Sequence, residues 1–183
     1  MCASSFFLSI ETVPVRDGLL LSQQRYMKDI LKRASMIDYK SLPTPVSLSQ
    51  VYESSKVPYA DSTQYRSLAG APQYLTMTRP DMSYAVNRLC QYMHAATTLH
   101  WSMLKRVLRY LKGTLHFGLC VCKSSSAEIL ALSDSDWAGY LKDRKSTSDF
   151  AVFLRQNLVS WVCRNRHTVA RSSTEAEYKA LLM

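Results

Sequence analysis

The sequence lacks paired cysteines, long apolar runs and internal repeats. Its five cysteines are an odd number and contain no CxxC pair, which excludes a disulfide framework and a zinc knuckle and favours a reducing compartment. No apolar run approaches the roughly 20 residues that cross a bilayer. The segment MCASSFFLSIE has no Lys or Arg before its short apolar run, unlike a secretory signal peptide. We therefore expect an intracellular protein, in a compartment that the sequence does not identify.

Acidic residues are also few. The 183 residues contain 23 Lys and Arg against 14 Asp and Glu, a net charge of +9. Such an excess favours a polyanionic partner such as nucleic acid. Because 47% of the residues are apolar, the chain has enough apolar surface for one domain or two small ones, and a wholly disordered chain is excluded.

Helical periodicity dominates the first two thirds of the chain. An alternating segment at 6–11 and a turn at Arg16-Asp17-Gly18 predict a β-hairpin. The spacing of apolar residues then predicts helices over 23–34, 62–77, 81–94 and 98–112. Residues 38–61 contain three prolines and five serines and predict an extended linker. Pro72 should kink or break the second helix near Ala71, because it removes a backbone donor.

After Gly113 the period becomes strand-like. Short runs of Leu, Val, Ile and Phe predict antiparallel strands over 115–122, 128–133, 149–154 and 158–163. A last helix begins in the segment RSSTEAEYKAL. Helices followed by antiparallel strands indicate the α+β class.

Carboxylates are concentrated beside the second of these strands and in the last helix. Asp134 and Asp136 follow an apolar run, and Glu177 lies one turn into the helix. Carboxylates from a strand and a facing helix could converge on divalent cations. They could also be structural, since Asp-Ser-Asp is a common turn and Thr174 with Glu177 forms a capping-box pattern. The residues alone leave both interpretations open.

Four segments of the chain form a specific set of motifs: YRSLAGAPQYLTMTRPDMSYAVN (65–87), HWSMLKRVLRYLKGTLHFGL (100–119), LSDSDWAGYLKDRKSTSDFAVFL (132–154) and ARSSTEAEYKAL (170–181). In this order they resemble the Pol polyprotein of copia-type LTR retrotransposons. The resemblance implies the end of the reverse transcriptase palm with the thumb hairpin and helix at 1–37, and a Pro/Ser linker at 38–61. It implies a helical thumb and connection region at 62–126 and the start of an RNase H domain at 127–183. The implied fold is α+β, with an N-terminal β-hairpin, the helical region, and an incomplete RNase H-like antiparallel sheet of three strands with one helix.

The resemblance also assigns site residues. Asp134 matches the first catalytic carboxylate of the family's RNase H and Glu177 the second, while Asp136 and Glu175 are their less favoured neighbours. In the family, two Mg²⁺ ions lie between four acidic residues, and they promote hydrolysis of RNA in an RNA·DNA hybrid. The implied parent activities are therefore RNA-directed DNA synthesis and hybrid hydrolysis.

The resemblance places the family's polymerase aspartates and its last two RNase H carboxylates outside residues 1–183. We therefore expect this chain to be catalytically inactive and to bind no Mg²⁺ tightly. Strand 128–133 is expected to present an open edge, which invites aggregation or pairing with another chain. Five residues depart from the family pattern: Ser9, Pro72, Ala96, Asp149 and Arg155. Asp149 and Arg155 are expected at turns that need a positive φ.

Three other interpretations stay open. Lys105, Arg106, Arg109 and Lys112 could make the chain a basic nucleic-acid-binding module. The open strand edge could make it an interaction protein. The string Arg106-Val107-Leu108-Arg109 also matches the RxLR motif of secreted oomycete effectors, but it lies inside a predicted helix and no signal-like segment precedes it.

Overall fold

The computed structural model describes residues 6–47, 57–137, 146–166 and 169–181. The chain divides into two compact units: residues 1–15 with 19–119, and residues 16–18 with 120–183. The class is mixed α+β with antiparallel sheets, as predicted. Among the described residues, no helix is both long and apolar enough to span a membrane.

The first unit consists of three strands followed by helices. Its strands are β1 (Phe6–Phe7), β2 (Ile10–Val15) and β3 (Gly18–Ser22), which are neighbours in that order in one sheet. The helices are α1 (Gln24–Arg33), α2 (Ser62–Leu75), α3 (Ser83–Cys90) and α4 (Thr98–Gly113). All four predicted helices are confirmed. The third is shorter than predicted, because its first turn is a 3₁₀ turn at Pro80–Met82 and it ends at Cys90.

The core of this unit lies between the four helices. Met27, Ile30, Tyr65, Leu104 and Leu108 are fully buried, each from the apolar stripe of its helix. The hydroxyl of Tyr65 donates to the carbonyl of Leu89 at 3.0 Å, so this buried polar group has a partner. Burial raises the pKa of Tyr65, which therefore remains protonated.

The break predicted at Ala71 does not occur. Helix α2 is continuous from Ser62 to Leu75 with Pro72 inside it. Side chains of neighbouring helices donate to carbonyls beside the proline: Tyr26 Oη to Ala71 at 3.2 Å and Cys90 Sγ to Ala69 at 3.6 Å. Pro72 is also buried, so the helix packs around a proline that in an isolated helix would cost about 3 kcal/mol.

The N-terminal segment reverses earlier than its alternation suggests. The hairpin predicted around Arg16-Asp17-Gly18 is confirmed, because β2 and β3 are neighbours on either side of this turn. Its first strand does not run unbroken from residue 6, because the chain also turns at Leu8 and Ser9, whose φ angles are 48° and 59°. Two successive residues with positive φ are typical of the tight turns that join β-hairpins. Ser9 therefore stands where glycine would be the least strained residue.

The linker predicted at 38–61 is irregular where the structure describes it. Residues 48–56 lie outside the described residues. The segment at 57–59 pairs with the loop before α4 through an isolated bridge between Pro58 and Thr97. Helix α4 then begins with a capping box in which Thr97 and His100 satisfy each other's backbone N–H groups.

The second unit contains a three-stranded antiparallel sheet and one helix. The strands are β5 (Ile129–Asp136), β6 (Thr147–Leu154) and β7 (Asn157–Asn165), in that order, and the helix is α5 (Ser173–Ala180). The predicted strands at 128–133, 149–154 and 158–163 are confirmed. The strand predicted at 115–122 is shorter: β4 covers Leu119–Cys122, because residues 114–116 form the turn that ends α4.

The two turn positions expected to need positive φ have different outcomes. Arg155 joins β6 to β7 with a φ of 54°, as predicted. The prediction for Asp149 is wrong, because this residue lies inside β6, opposite Asp134 of β5 and Cys163 of β7. Its effect on the sheet is therefore electrostatic rather than conformational.

The second unit buries little apolar surface. Within its described residues, the buried apolar side chains are those of Ala170, Ala176 and Ala180. Ile129, Leu130 and Leu132 of the edge strand β5 are 70%, 50% and 53% exposed. Since burial of large apolar side chains is the main source of stability, we expect this unit to be the less stable one.

Candidate functional site

Three carboxylates share one face of the second unit's sheet. In the β5–β6 register Asp134 lies opposite Asp149, and Asp136 lies opposite Thr147. Because side chains alternate along a strand, Asp134, Asp136 and Asp149 point to the same side. Asp134 accepts from the backbone N–H of Ser135 at 2.8 Å, and Asp136 accepts from that of Thr147. Sequence reasoning missed Asp149 as a member of this group, because only the strand register brings it beside Asp134.

The surroundings of Asp136 raise its proton affinity. Burial raises the pKa of Asp136, and the negative charges of Asp149 and Asp134 raise it further, while the N–H of Thr147 partly opposes them. The Oδ1 atom of Asp149 is buried and has no hydrogen-bond partner among the described residues. Like charges directly opposite each other destabilise a sheet. This face therefore attracts cations and destabilises the strand pair that carries it.

The opposite face of the same strands is directed toward α5. Ser135 Oγ and Ser148 Oγ lie 3.1 Å apart, and Ser148 accepts from Arg166 Nε at 2.9 Å. Arg166 also donates to the carbonyl of Lys179 in α5. The serines and the three aspartates thus lie on opposite sides of the sheet.

The start of α5 distinguishes its two glutamates. Ser172 is the N-cap, and its side chain accepts from the N–H of Glu175 at 3.1 Å. Glu175 accepts from the N–H of Arg171 and pairs with Lys179, both at 2.7 Å. The hydrogen bond from Lys179 and that from Arg171 lower the pKa of Glu175. The capping box predicted for Thr174 and Glu177 is therefore wrong, because the helix begins two residues earlier.

Glu177 is exposed on α5. Its carboxylate makes no hydrogen bond or ion pair within the part of the chain that the structure describes. Within the described residues, Glu175 therefore has a local structural role and Glu177 has none. The geometry supplies a structural distinction between these two neighbouring acids.

The described residues do not bring the predicted acids into one complete metal site. Among them, no group of three or more His, Cys, Asp or Glu side chains is arranged to hold a metal ion. Asp134 and Asp136 lie together on β5, whereas Glu177 lies on α5. Their assignment as Mg²⁺ ligands stays a prediction.

The predicted basic residues lie on α4 in the first unit. Three of them donate to residues 39–47, which we call the strap. Lys112 Nζ donates to the carbonyl of Tyr39 and Arg109 Nε to that of Lys40, both at 2.6 Å. Arg106 Nη2 donates to Thr44 Oγ1 at 2.7 Å. The cations thus hold the strap against α4. The sequence predicted an extended linker in this segment but not its contacts with α4.

The contacts with the strap leave the positive charges uncompensated. Carbonyl and hydroxyl oxygens satisfy N–H donors but carry no net charge. Among the described residues, Lys105, Arg106, Arg109 and Lys112 form no ion pair with a carboxylate. This part of α4 therefore keeps an excess of positive charge that an anionic partner could neutralise.

The string Arg106-Val107-Leu108-Arg109 is part of the helical core. Val107 and Leu108 are 2% and 0% exposed and belong to the buried stripe of α4. Apolar residues at such positions are explained by packing. No extended, accessible motif is present at this string.

Comparison with known proteins finds homologues of the chain. No family model and no solved structure matches the chain. It is 47% identical over 178 residues to an uncharacterized mitochondrial protein of Arabidopsis thaliana, and the match covers 97% of this chain and 74% of that protein. It is 46% identical over 179 residues to the retrovirus-related Pol polyprotein from transposon RE2 of Arabidopsis thaliana. The chain is therefore homologous to retrovirus-related Pol polyproteins from copia-type transposons.

The extent of these matches differs between relatives. The match to the RE2 polyprotein covers 96% of this chain but 12% of the polyprotein. The chain is also 45% identical over 118 residues to secreted RxLR effector protein 161 of Plasmopara viticola, covering 64% of this chain and 83% of that protein. The copia-type Pol resemblance thus extends over nearly the whole chain, and the effector resemblance over about two thirds.

Proposed function

We propose that this chain is the section of a copia-type Pol polyprotein that leads from the reverse transcriptase into the RNase H domain. Residues 1–37 would end the palm and form the thumb hairpin and helix, followed by the linker at 38–61. Residues 62–126 would form the thumb and connection region, and 127–183 would begin RNase H. The observation that supports this proposal is the similarity to the RE2 polyprotein over 96% of the chain, with the family motifs in their usual order.

In the parent polyprotein, Asp134 and Glu177 would be the first two RNase H carboxylates, with Asp136 as a less favoured ligand. The carboxylate oxygens of Asp134 and Glu177 suit Mg²⁺. When bound, such ions activate a water molecule and stabilise the leaving oxygen during hydrolysis of RNA in an RNA·DNA hybrid. In the described residues Glu175 has a local structural role and Glu177 has none, which supports this choice.

We further propose that the chain by itself does not hydrolyse RNA·DNA hybrids and binds Mg²⁺ weakly. Two-metal hydrolysis needs ligands that hold both ions, and the described residues contain no group of three suitable side chains. The test is to incubate the purified chain with Mg²⁺ and a labelled hybrid. We expect no cleavage. Mg²⁺-dependent cleavage that disappears in Asp134→Asn would overturn the proposal of inactivity.

A chimera tests the assignment of the section itself. Residues 1–183 would replace the matching section of the RE2 polyprotein, and hybrid cleavage would be measured with Asp134→Asn, Glu177→Gln and Glu175→Gln. Loss of a metal ligand should lower the cleavage rate about 100-fold or more. Glu175→Gln is the matched control, because it neutralises the capping glutamate two residues away. Equal effects of the two glutamate changes, or full activity without Asp134, would refute the assignment.

A second candidate function is nucleic-acid binding through α4. It is favoured by the four cations that lack carboxylate partners in the described residues. Lys105 is the best probe, because it does not contact the strap. Lys105→Gln should weaken binding to all sequences and reduce the slope of log affinity against log salt by about 1. Lys28→Gln on α1 is the control for the loss of one exposed positive charge. Binding whose affinity does not depend on salt concentration would exclude nucleic-acid binding through α4.

The effector interpretation is weaker. The relevant string lies in the interior of α4, and the match to the effector covers less of the chain than the match to the polyproteins. Helix packing therefore explains the string without an effector role.

A further inference from the structure

The strap, α3 and α4 enclose a cavity of about 430 Å³ in the first unit. Sites for small organic molecules span roughly 300–1,000 Å³. The walls include Leu42 and Pro45 from the strap, Leu89 from α3, and Leu99 and Met103 from α4. Walls of this kind favour the apolar body of a ligand, because its burial removes apolar surface from water.

The same cavity is strongly cationic. Its lining includes Arg88, Lys105, Arg106 and Arg109, and none of the described lining residues is Asp or Glu. Positive charges next to apolar walls are screened less than charges in open water, so their attraction for an anion is stronger. The cavity is therefore complementary to a molecule with both an apolar body and a negative charge.

Arg106 supplies the most specific feature. Its Nη2 atom donates to Thr44 Oγ1 at 2.7 Å, which fixes the guanidinium beside the strap. Its Nε atom is buried and finds no acceptor among the described residues. A buried donor without a partner is unfavourable, so the guanidinium charge beside the cavity is only partly satisfied by the strap. Arg106 lines the cavity, and an anionic group there would compensate this charge.

We propose that this cavity binds a small organic anion, with an apolar body against the leucine and methionine side chains and one acidic group that accepts from Arg106. This inference goes beyond the nucleic-acid contact considered above. A nucleic-acid backbone requires cations alone, whereas this cavity also offers enclosed apolar walls.

The test uses two matched dyes. Anilinonaphthalene sulfonate has an aromatic body and one negative charge, and N-phenylnaphthylamine has a similar body without the charge. Fluorescence titration of the purified chain should show one saturable site for the sulfonate. The neutral dye should bind about tenfold more weakly or worse, because charge-assisted hydrogen bonds are the stronger ones.

Variants then locate the site. Arg106→Met should weaken sulfonate binding about tenfold or more, Arg106→Lys should retain most of it, and Lys28→Met on α1 should leave it unchanged. Ser102→Trp keeps every cation but fills the cavity mouth with an indole, and it should abolish binding. Circular dichroism confirms that each variant is folded. If Arg106→Met does not fold, Ser102→Trp and the neutral dye still decide the question.

Four results would overturn the proposal. They are equal affinity for the two dyes, several unsaturable sites, unchanged binding in both Arg106→Met and Ser102→Trp, or stoichiometric displacement of the sulfonate dye by a short oligonucleotide. The last result would identify nucleic acid as the occupant. Single-site binding with the stated dependence on charge and on Arg106 would establish the site.

Discussion

Arg79 is the most unusual single residue of the first unit, because its guanidinium is buried with a relative exposure of 1%. Asp81 accepts from its Nε and Nη2 atoms at 2.9 and 2.7 Å. The carbonyl and hydroxyl of Thr114 accept at 3.0 and 2.8 Å, and the rings of Tyr110 and Phe117 flank it. A buried charge of this kind is tolerated only when its donors are paired.

Removal of the carboxylate should destabilise this unit strongly. Asp81→Ala should lower the free energy of unfolding by about 3 kcal/mol, because Arg79 would remain buried without its counter-charge. Urea denaturation followed by circular dichroism measures the change. Asp29→Ala is the control, since its pair with Arg33 is solvent-exposed and should contribute below about 1 kcal/mol. Equal effects of the two substitutions would contradict this role for Asp81.

The contribution of Asp81 should depend on pH. Burial raises the pKa of Asp81, but hydrogen bonds from Arg79 and Tyr110 outweigh it, and the net result is a lowered pKa. A carboxylate whose pKa is lowered by folding stabilises the folded state at pH values above its unfolded-state pKa of about 3.9. This contribution is lost as the pH falls through the folded-state pKa. The stability difference between the wild type and Asp81→Ala should therefore shrink in acid. A difference that grows in acid would show the opposite linkage.

Asp149 is expected to destabilise the second unit, whereas Asp81 stabilises the first. Asp149→Asn should stabilise the β5–β6 pair by about 1 kcal/mol at neutral pH, because it removes the charge opposite Asp134 and near Asp136. Folding raises the pKa of Asp136, so protonation of this carboxyl stabilises the folded state in acid. That stabilisation is lost as the pH rises through the folded-state pKa. The gain from Asp149→Asn should therefore shrink at low pH. Amide exchange in β5 and β6 measures it, and lower protection in the variant at neutral pH would contradict it.

At the scale of the secondary-structure element, β5 is an apolar edge strand. It contains no charged residue from Ile129 to Ser133, and its leucines are half exposed. Natural edge strands usually carry charges or prolines that prevent pairing with other chains. We propose that β5 pairs with β5 of a second copy of this chain.

This self-association should be sensitive to charge on β5. Leu130→Lys should abolish concentration-dependent association in size-exclusion chromatography, because a lysine on an edge strand opposes pairing. Val159→Lys on β7 is the matched control, since both side chains are about half exposed, at 50% and 52%. A wild-type chain that elutes as a monomer at all concentrations, or equal effects of the two lysines, would exclude pairing through β5.

At the scale of the whole molecule, the two units differ in how their interiors are filled. The first buries large apolar side chains from four helices, and the described part of the second buries three alanines. We expect amide hydrogens in α1 and α4 to exchange more slowly than those in β5–β7, with opening free energies that differ by about 2 kcal/mol or more. Hydrogen exchange with mass spectrometry measures this difference. Similar protection in both units would show that they unfold together.

Local pattern was sufficient to predict much of this fold. The helix of Gln24–Arg33, helix α4 and the strands β5, β6 and β7 follow from the period of their apolar residues. The left-handed turn at Arg155 was likewise expected from a position where the family has glycine. The motifs that resemble Pol polyproteins are continuous segments of the chain, so they could be recognised from the sequence.

Tertiary structure decided what depends on residues distant in sequence. It placed Pro72 inside a continuous helix and Asp149 opposite Asp134. It directed α4 cations onto the strap around a cavity. It also showed that Ser172 and Glu175, rather than Thr174 and Glu177, accept the backbone hydrogen bonds at the start of α5. The physical reason is common to these cases. Periodicity reports how a segment satisfies its own backbone and buries one face, whereas strand register, side-chain partners and enclosed space arise only when separate segments meet.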